Sequence, residues 1–425
     1  MDLIKLPFRL GLVINEELKK KGIEPRTNNG SPTFEYTQEE LDQIEKLVFN
    51  NPMPGTLKGL ENLHNLKVLK ISSSYSPYSN NNMSINDQDI SAISKTTSLE
   101  ELTIRNQSNI TWVDVTDLTS LKSLTVERNV NVDTIEGLTN LNNLYEVNIF
   151  GNKEIYEIKG IEELVNKNDL SILSLDLLSF SEVSSQIPKM LQIPSCKFYE
   201  ACSAGTNLSY NCGTAMMFHK ECLNIVKDIL SQHPANNKDL VILVDSFLAN
   251  HISYDYDALN RKERYHEENG VRKGFSDGTQ SAYNGIMYGS CVCEGYTKSM
   301  QYLLKQLNIK TRGVHCIQGK DQIKVDDSYS NKVERPDDGY HSIIRVDLNE
   351  GTYYCDPCWD SCYLHAGDSS LPYCMKNKQD ISEDHTLSFE ENIINGQYPS
   401  IDPEYIQAVI NRKSLMENAN NSQTR

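Results

Sequence analysis

Apolar residues in the first half of the chain recur with one spacing, L-x-x-L-x-L, which predicts a series of short strands. The pattern occurs at Leu66/Leu69/Ile71, Leu99/Leu102/Ile104, Leu121/Leu124/Val126, Leu144/Val147/Ile149 and Leu170/Leu173/Leu175, with a weaker first copy at Ile44/Leu47/Phe49. Successive copies start 22, 33, 22, 23 and 26 residues apart. A unit of this size cannot bury its own leucines, so neighbouring units must stack and share one core.

These repeats resemble the leucine-rich repeats of bacterial internalin-like proteins. Leucine-rich repeats have a period of ~20–29 residues, which four of the five intervals fit. Between the predicted strands, segments such as GLENL at 59–63 and GLTNL at 137–141 predict short helical or 3₁₀ turns, and the segment from Gln38 to Lys46 predicts a helical N-terminal cap. The resemblance implies a solenoid over residues 1–185.

The polar strand positions of the repeats predict a concave surface that binds a protein partner or substrate. We expect them to be exposed, at Lys70, Thr103, Arg105, Thr125, Glu127 and Asn148. The alternative is that the repeat array serves only as a spacer.

Beyond the repeats, the apolar spacing changes to that of helices. Residues 186–219 predict a connecting segment, and KECLNIVKDILSQH and NKDLVILVDSFLANH predict two helices that pack in a core. The chain thus divides into a repeat domain at 1–185, a connection at 186–219, a second domain at 220–395, and a C-terminal helix with a frayed tail at 396–425. The predicted fold class is α+β.

Cys293 is the first candidate for chemistry in the second domain. It lies in YGSCVCEGY, and the apolar residues that follow it, Tyr296, Met300, Leu303, Leu304 and Leu307, recur at helical spacing. A thiol at a helix N-terminus is favoured as the nucleophilic thiolate. Cys291, two residues earlier, is the alternative nucleophile, a redox partner or a spectator, and the motif and the helix phase favour Cys293.

Two later segments, 341–347 and 351–357, predict strands joined by a turn at 348–351. If this hairpin closes with Asp347 opposite Thr352, His341 and Asp356 lie on the same face as diagonal neighbours. A carboxylate beside an imidazole fixes its tautomer and stabilises its charged form. The hairpin therefore predicts a paired His341 and Asp356.

These segments together resemble the transglutaminase-like superfamily. The resemblance covers about residues 220–390 and rests on YDY at 254–256, SAY at 281–283, VCEGY at 292–296, His341, and DPCW at 356–359. It implies a papain/transglutaminase-like core with the Cys293–His341–Asp356 triad. We expect Tyr283 or Gln280 to assist at the oxyanion, and Trp359 to line the cleft or support Asp356. His385 is given no chemical role.

The resemblance implies a cysteine acyl-transfer enzyme acting on carboxamide or peptide bonds of proteins or peptides, with hydrolysis as the expected outcome. Protein-glutamine cross-linking and a non-catalytic peptide-binding module are the alternatives. Ser342-Ile343-Ile344 departs from the Trp-Asn that often follows the family's histidine. The acidic stretch 320–339 predicts a lid, a selecting loop or a solvated loop.

The net charge and the cysteine content limit the partners, compartments and cofactors that the protein is expected to have. The formal net charge of −17 disfavours nucleic-acid and anionic-membrane partners. The N-terminal twenty residues lack the features of a signal peptide, so we expect a cytoplasmic protein, or a secreted one if a leader was removed. Most of the eleven cysteines are expected to be reduced. Cys355, Cys358 and Cys362 lack a second pair, so neither a metal nor another cofactor is predicted.

Overall fold

The computed structural model describes residues 3–74, 83–152, 154–201, 207–256, 265–268, 271–274, 278–318, 340–367, 369–387 and 398–412. The chain divides into two structural units. The first comprises Met1–Ala201 and Ser209–Met216, and the second comprises Cys202–Leu208 and Met217–Arg425.

The first unit is built on an eight-stranded sheet. Its strands lie in the order Asn207–Asn211, Ser195–Ala201, Ile172–Asp176, Glu146–Phe150, Ser123–Glu127, Glu101–Arg105, Val68–Ser72 and Lys46–Asn50. A second, parallel sheet contains Glu157–Ile158, Thr134–Glu136 and Trp112–Asp114. The helices are Phe8–Lys20, Gln38–Leu41, Asp87–Ile93, Ile161–Lys167 and Ile187–Met190, with 3₁₀ segments at Leu60–Asn62, Leu138–Asn140 and Leu177–Gln186. Two short antiparallel pairs join Ile4–Lys5 to Glu35–Tyr36 and Thr27–Asn28 to Ser31–Pro32.

Equivalent repeat positions pair in one register across the large sheet. The middle apolar residue of each copy lies opposite that of the next, through Leu47, Leu69, Leu102, Leu124, Val147 and Leu173. All six are fully buried. The strand Ser195–Ala201, within the range predicted to connect two domains, pairs in parallel with Ile172–Asp176 and continues the sheet.

A ladder of buried polar side chains runs beside these strands. The backbone N–H of Gln107 donates to Asn129 Oδ1 at 2.9 Å, and that of Asn129 donates to Asn152 Oδ1 at 2.9 Å. Asp176 accepts the next pair, from the N–H groups of Gly151 and Asn152. Each side chain thus supplies the acceptor that a turn of the preceding repeat needs, since buried backbone groups without partners are costly.

The turns between strands depend on left-handed backbone. Gly137 has φ 93° before the segment Leu138–Asn140, and an added Cβ would lie 2.2 Å from the backbone nitrogen of Thr116. Glycine is therefore required there by both conformation and space.

Two of the strand positions expected to be exposed are buried. Thr103 and Thr125 retain 8% and 6% of their exposure, whereas Arg105 is exposed and Lys70, Glu127 and Asn148 are half-buried. The short threonines lie in the middle row of the sheet, where each faces an equivalent residue on both neighbouring strands. Longer charged side chains extend past such neighbours, as in the 2.8 Å ion pair of Arg105 with Glu127.

The N-terminal cap also differs from the prediction. The helix expected from Gln38 to Lys46 ends at Leu41, because Lys46 already begins the first strand of the large sheet. Its start is fixed by a capping box, in which Thr37 Oγ1 accepts from the Glu40 N–H and the Glu40 carboxylate accepts from the Thr37 N–H.

The second unit contains a four-stranded sheet covered by helices. The strands lie in the order Gly351–Cys355, Tyr340–Leu348, Lys310–Gln318 and His385–Leu387, all antiparallel. Two further pairs are Ser253–Tyr254 with Ser290–Cys291 and Tyr265–Glu268 with Val271–Gly274. The helices are Cys212–Leu230, Asn237–His251, Ala282–Tyr288, Cys293–Gln306, Pro357–His365, Lys378–Ile381 and 403–412.

The hairpin has the predicted register. Asp347 lies opposite Thr352 and Ile344 opposite Cys355, so the next residues along the two strands are Ile343 and Asp356. The segment after Asp356 is a helix rather than a continued strand, which places Trp359 on that helix. Pro357 explains the change, because it removes a backbone donor and favours the first turn of a helix.

Among the described helices, none combines the length and apolar character needed to cross a membrane. The range 396–425 contains the helix 403–412. The tail beyond this helix and the whole stretch 320–339 lie outside the described residues.

Candidate active site

Cys293 begins the helix Cys293–Gln306, as the apolar spacing predicts. The N-cap residue Val292 offers no side-chain acceptor to the first turn. The first N–H groups of an α-helix have no acceptor within the helix, and they point toward whatever lies at its start. Cys293 is partly exposed, so its sulfur combines access with an environment that favours negative charge.

Cys291, the alternative nucleophile, lies in the core. It has no exposed surface, and its strand pairs with Ser253–Tyr254. An added Cβ at Gly295 would lie 2.6 Å from Cys291 Sγ, so the sulfur packs directly against the helix backbone. A side chain held in this way is a packing residue.

His341 and Asp356 are in contact across the end of the hairpin. Their Nε2 and Oδ2 atoms are 2.7 Å apart, and both residues are almost fully buried. The helix that carries Cys293 is fastened to the His341 strand by Thr297, whose hydroxyl donates to the Ser342 carbonyl at 3.0 Å. The two elements are thereby fixed one turn from Cys293.

His341 also interacts with Cys293. Burial alone would lower the pKa of His341, but the charge and hydrogen bond of Asp356, together with a hydrogen bond and charge from Cys293, raise it to about 10. Because Nε2 is engaged by Asp356, the other ring nitrogen, Nδ1, is the one left for the Cys293 sulfur. The arrangement favours a protonated imidazole beside the ionised Asp356 carboxylate.

Asp356 is held by four hydrogen bonds. Besides His341, its Oδ2 accepts from His385 Nε2 at 3.0 Å. Its Oδ1 accepts from the N–H groups of Cys358 and Trp359 at 3.2 and 3.1 Å, which makes it the N-cap of the helix Pro357–His365. Burial would raise the pKa of Asp356, but the two histidines and these donors hold it well below its usual range.

His385 is the site residue that sequence reasoning missed. It is fully buried, it donates to the same oxygen as His341, and its Nδ1 has no partner among the described residues. The segment reaches Asp356 because its strand pairs with Lys310–Gln318, with Leu387 opposite Cys316. No motif surrounds His385, so only the pairing of distant strands reveals it.

Trp359 lies against both histidines. Its ring centroid is 5.6 Å from that of His341 and 4.5 Å from that of His385, with Tyr373 packed edge-on at 4.9 Å. The indole therefore limits the rotation of both imidazoles and so supports their hydrogen bonds to Asp356.

Gln280 lies in a segment that is fastened to the start of the Cys293 helix. The Val292 N–H donates to the Thr279 carbonyl at 2.8 Å, and Lys298 Nζ donates to the Gln280 carbonyl at 2.8 Å. Lys298 also pairs with the buried Glu294 at 3.1 Å. The backbone of Gln280 is therefore held beside the nucleophile.

Tyr283 has two aromatic neighbours among the described residues. Its ring packs against Phe218 and Tyr288, with centroids 5.8 Å away in each case. Burial and the neighbouring Tyr288 raise the pKa of its hydroxyl. These contacts describe an aromatic packing cluster.

Two groups of buried residues bring metal-ligating atoms together. His341, Asp356 and His385 have such atoms within 4.8 Å of one another, as do Asp245, Cys355 and Cys374. In the first group both histidine nitrogens already share a carboxylate oxygen as hydrogen-bond partners. The second group is separate from the triad.

Comparison with known proteins gives distant structural likenesses. No protein-family model and no curated protein matches the chain. A crystal structure of an internalin (inlF) from Listeria monocytogenes is 27% identical over 41% of this chain and 53% of its own length, with a TM-score of 0.26. An internalin C2 (inlC2) from the same organism is 19% identical over 41% of this chain and 79% of its own, with a TM-score of 0.25.

A crystal structure of a TGase is 12% identical over 38% of this chain and 39% of its own length, with a TM-score of 0.26. The chain thus spans about half of the inlF internalin and about two fifths of the TGase. Likenesses at these TM-scores leave the function to be argued from the geometry of the site.

Proposed function

We propose that this protein is a cysteine acyl-transfer enzyme, with Cys293 as nucleophile, His341 as base and acid, and Asp356 as the residue that orients His341. One observation carries the proposal. The buried imidazole of His341 is 2.7 Å from the ionised Asp356, and Cys293 is near enough to contribute to the raised pKa of His341. That is the arrangement a thiol nucleophile needs for activation.

The reaction follows from these contacts. The Cys293 thiolate attacks the carbonyl carbon of a carboxamide or peptide bond and forms a tetrahedral oxyanion. His341 gives its proton to the departing amine, which leaves a thioester on Cys293. Water then attacks the thioester while His341 takes one of its protons, the acid product leaves, and the Cys293 thiolate and the His341 imidazolium are restored.

The oxyanion is stabilised at the helix start. The N–H of Cys293 and the side-chain amide of Gln280 are the proposed donors, because the helix presents its first N–H groups there and the Gln280 backbone is held alongside. Donors fixed before the reaction stabilise a developing charge at little reorganisation cost. Trp359 supports the two histidines, and the packing of Tyr283 gives it a structural role.

Water is the proposed acyl acceptor. Ser342, Ile343 and Ile344, which follow His341, are all buried. They therefore offer no exposed group that would bind a lysine amine. Hydrolysis makes the protein a protease or deamidase, and cross-linking is the competing outcome.

We propose that the first unit is a leucine-rich-repeat solenoid that binds a protein partner or substrate. The single register of its parallel strands supports this, as does the row of charged residues along them, including the ion pairs Lys70–Glu101 and Arg105–Glu127. Parallel repeats of this kind produce extended binding surfaces.

The test of the proposed chemistry is covalent labelling by a peptide that carries a thiol-reactive electrophile. Wild type and the matched control Cys291→Ala should be labelled at Cys293, and Cys293→Ala should not. Labelling that persists in Cys293→Ala and disappears in Cys291→Ala would overturn the assignment. Wild-type enzyme is then incubated with a glutamine peptide, with and without an added amine. The mass of the product distinguishes hydrolysis from acyl transfer to the amine.

A further inference from the structure

A second cluster of reactive side chains lies behind the hairpin that carries the triad. Asp245, Cys355 and Cys374 have one oxygen or sulfur atom each, all within 4.8 Å of one another. All three residues are fully buried. They come from the helix Asn237–His251, the end of the strand Gly351–Cys355 and the loop before Lys378–Ile381.

Backbone hydrogen bonds hold the two cysteines together. The N–H of Tyr354 donates to the Lys376 carbonyl and the N–H of Lys376 donates back to the Tyr354 carbonyl, both at 2.8 Å. The Asp356 N–H donates to the Tyr373 carbonyl at 3.2 Å. The loop that bears Cys374 is thus paired with the strand end that bears Cys355, so their proximity is built into the backbone.

The Asp245 carboxylate in this cluster interacts with the thiols of Cys374 and Cys355 and has no further polar partner among the described residues. Neither carboxylate oxygen of Asp245 has a hydrogen-bond partner among the described nitrogen and oxygen atoms, and both are buried. Asp360, on the next helix, also has a buried Oδ2 without a partner. Native proteins normally satisfy such groups, and a bound ion is one explanation for an exception.

Cys355 already has the hydrogen bond that a coordinating thiolate uses. The Met375 N–H donates to its sulfur at 3.2 Å. Two thiolates, one carboxylate and a nearby second carboxylate form a donor set that suits zinc, which binds sulfur at ~2.3 Å and oxygen at ~2.0–2.2 Å in tetrahedral sites. Small side-chain rotations bring atoms that lie within 4.8 Å of one another to such distances.

We propose that Cys355, Cys374 and Asp245 bind a structural zinc ion that fastens the strand end, the following loop and the helix Asn237–His251 together. Binding releases the thiol protons of both cysteines, and the proton of Asp245 where it is protonated, to solvent.

This site differs from the one that the sequence spacing suggests and that we rejected there. Of the three closely spaced cysteines, Cys362 is exposed, and its hydroxyl partner is Tyr256. Cys374, twelve residues further on, replaces it as the partner of Cys355. This inference reverses the expectation, made from the sequence, that the protein has no metal.

Metal content of the full-length protein is the first test. Protein purified without chelator should contain about one zinc per chain after dialysis, and metal-free protein should take up the same amount when titrated with zinc sulfate. Cys374→Ser and the near-isosteric Asp245→Asn should lose it. Cys196→Ser is the matched control, because Cys196 also interacts with a second thiol, that of Cys212, and it should keep its zinc.

A measurement on the wild-type protein tests the proposal even if the variants fail to fold. Zinc X-ray absorption of wild type should show two sulfur neighbours at ~2.3 Å and oxygen neighbours at ~2.0–2.2 Å, and Co²⁺ in its place should give sulfur-to-cobalt charge-transfer absorption. Absence of zinc and of that absorption in wild type would overturn the proposal. So would four sulfur neighbours, zinc loss in Cys196→Ser alone, or a Cys355–Cys374 disulfide found by mass spectrometry.

Discussion

The two units treat buried polar side chains in opposite ways. In the repeat unit Asn129, Asn152 and Asp176 form a ladder in which each side chain accepts from the backbone of its neighbour. Around the hairpin of the second unit, Asp356 carries a buried negative charge between two histidines. In the repeat unit, buried polar side chains satisfy backbone hydrogen-bond donors. In the second unit, they stabilise a buried charge.

The unpartnered atoms sharpen this difference. Among the described residues the first unit has two buried orphan atoms, Asn106 Oδ1 and Ser179 Oγ, both neutral. The second unit has four, all on titratable residues, namely Asp245, Asp360 and His385. Buried groups that can change charge are expensive unless they have a task, so the difference points to where the chemistry is.

Removing the charge of Asp356 should have the largest effect. Asp356→Asn keeps a side-chain oxygen for the helix N-cap but removes the ionised acceptor of His341. We expect kcat/KM to fall by about 10⁴-fold with a folded protein, measured on a peptide substrate. Asp347→Asn, in the same hairpin but paired with the partly buried Arg345, is the control. A decrease in kcat/KM of less than about tenfold in Asp356→Asn would show that Asp356 does not orient His341.

The stability of the second unit should decrease as the pH rises. The pKa of His341 is raised to about 10 in the folded state, whereas an unfolded histidine titrates near ~6.5. The contribution of His341 to the free energy of unfolding is therefore complete below pH ~6.5. It is lost as the pH approaches 10, at up to ~1.4 kcal/mol per pH unit. Urea unfolding between these pH values measures it. His341→Gln should show a flatter profile, and an equal slope in both proteins would refute the linkage.

Breaking the ladder should affect stability alone. Asn129→Ala leaves the Gln107 N–H and the Ile104 carbonyl, to which Asn129 Nδ2 donates at 3.1 Å, without buried partners. We expect a loss of about 3 kcal/mol in the unfolding free energy of the repeat unit, from ~1–3 kcal/mol per orphaned group. Hydrolysis of a small peptide should be unchanged. The exposed Asn140→Ala serves as control, and a similar loss there would show that the ladder is not the cause.

Removing the second histidine should have the smallest effect. His385→Ala deletes one hydrogen bond to an ionised carboxylate, worth ~1.5–3 kcal/mol, so we expect kcat to fall about 10- to 100-fold. KM should change little, because His385 is buried behind Asp356. His385→Gln should recover part of the rate through its amide donor. Unchanged kcat in His385→Ala would limit this residue to packing.

Sequence patterns predict those features that depend on nearby residues. The apolar spacing locates the strands Val68–Ser72 to Ile172–Asp176, and the turn after Leu348 fixes the hairpin register that brings His341 to Asp356. Features that depend on distant pairing are not visible in this way. His385 reaches Asp356 across 29 residues, and Cys374 reaches Cys355 through a loop whose path no local pattern specifies.

Burial on the repeat surface shows a further limit. Thr103 and Thr125 alternate with buried leucines and so appear exposed from strand periodicity. They are covered because every strand in the middle of a parallel sheet has a neighbour on each side. Periodicity gives the face on which a side chain lies, and the neighbouring strands decide how much of it solvent reaches.

The common register of the repeat strands allows the first unit to change length in whole steps. Excision of residues 107–128 would bring Asn129 to the position of Gln107 and Val147 opposite Leu102, so the strand register would be kept. Duplication of the same segment would add a strand in the same register. Gain or loss of such a segment by recombination would therefore resize the repeat surface in steps of one strand.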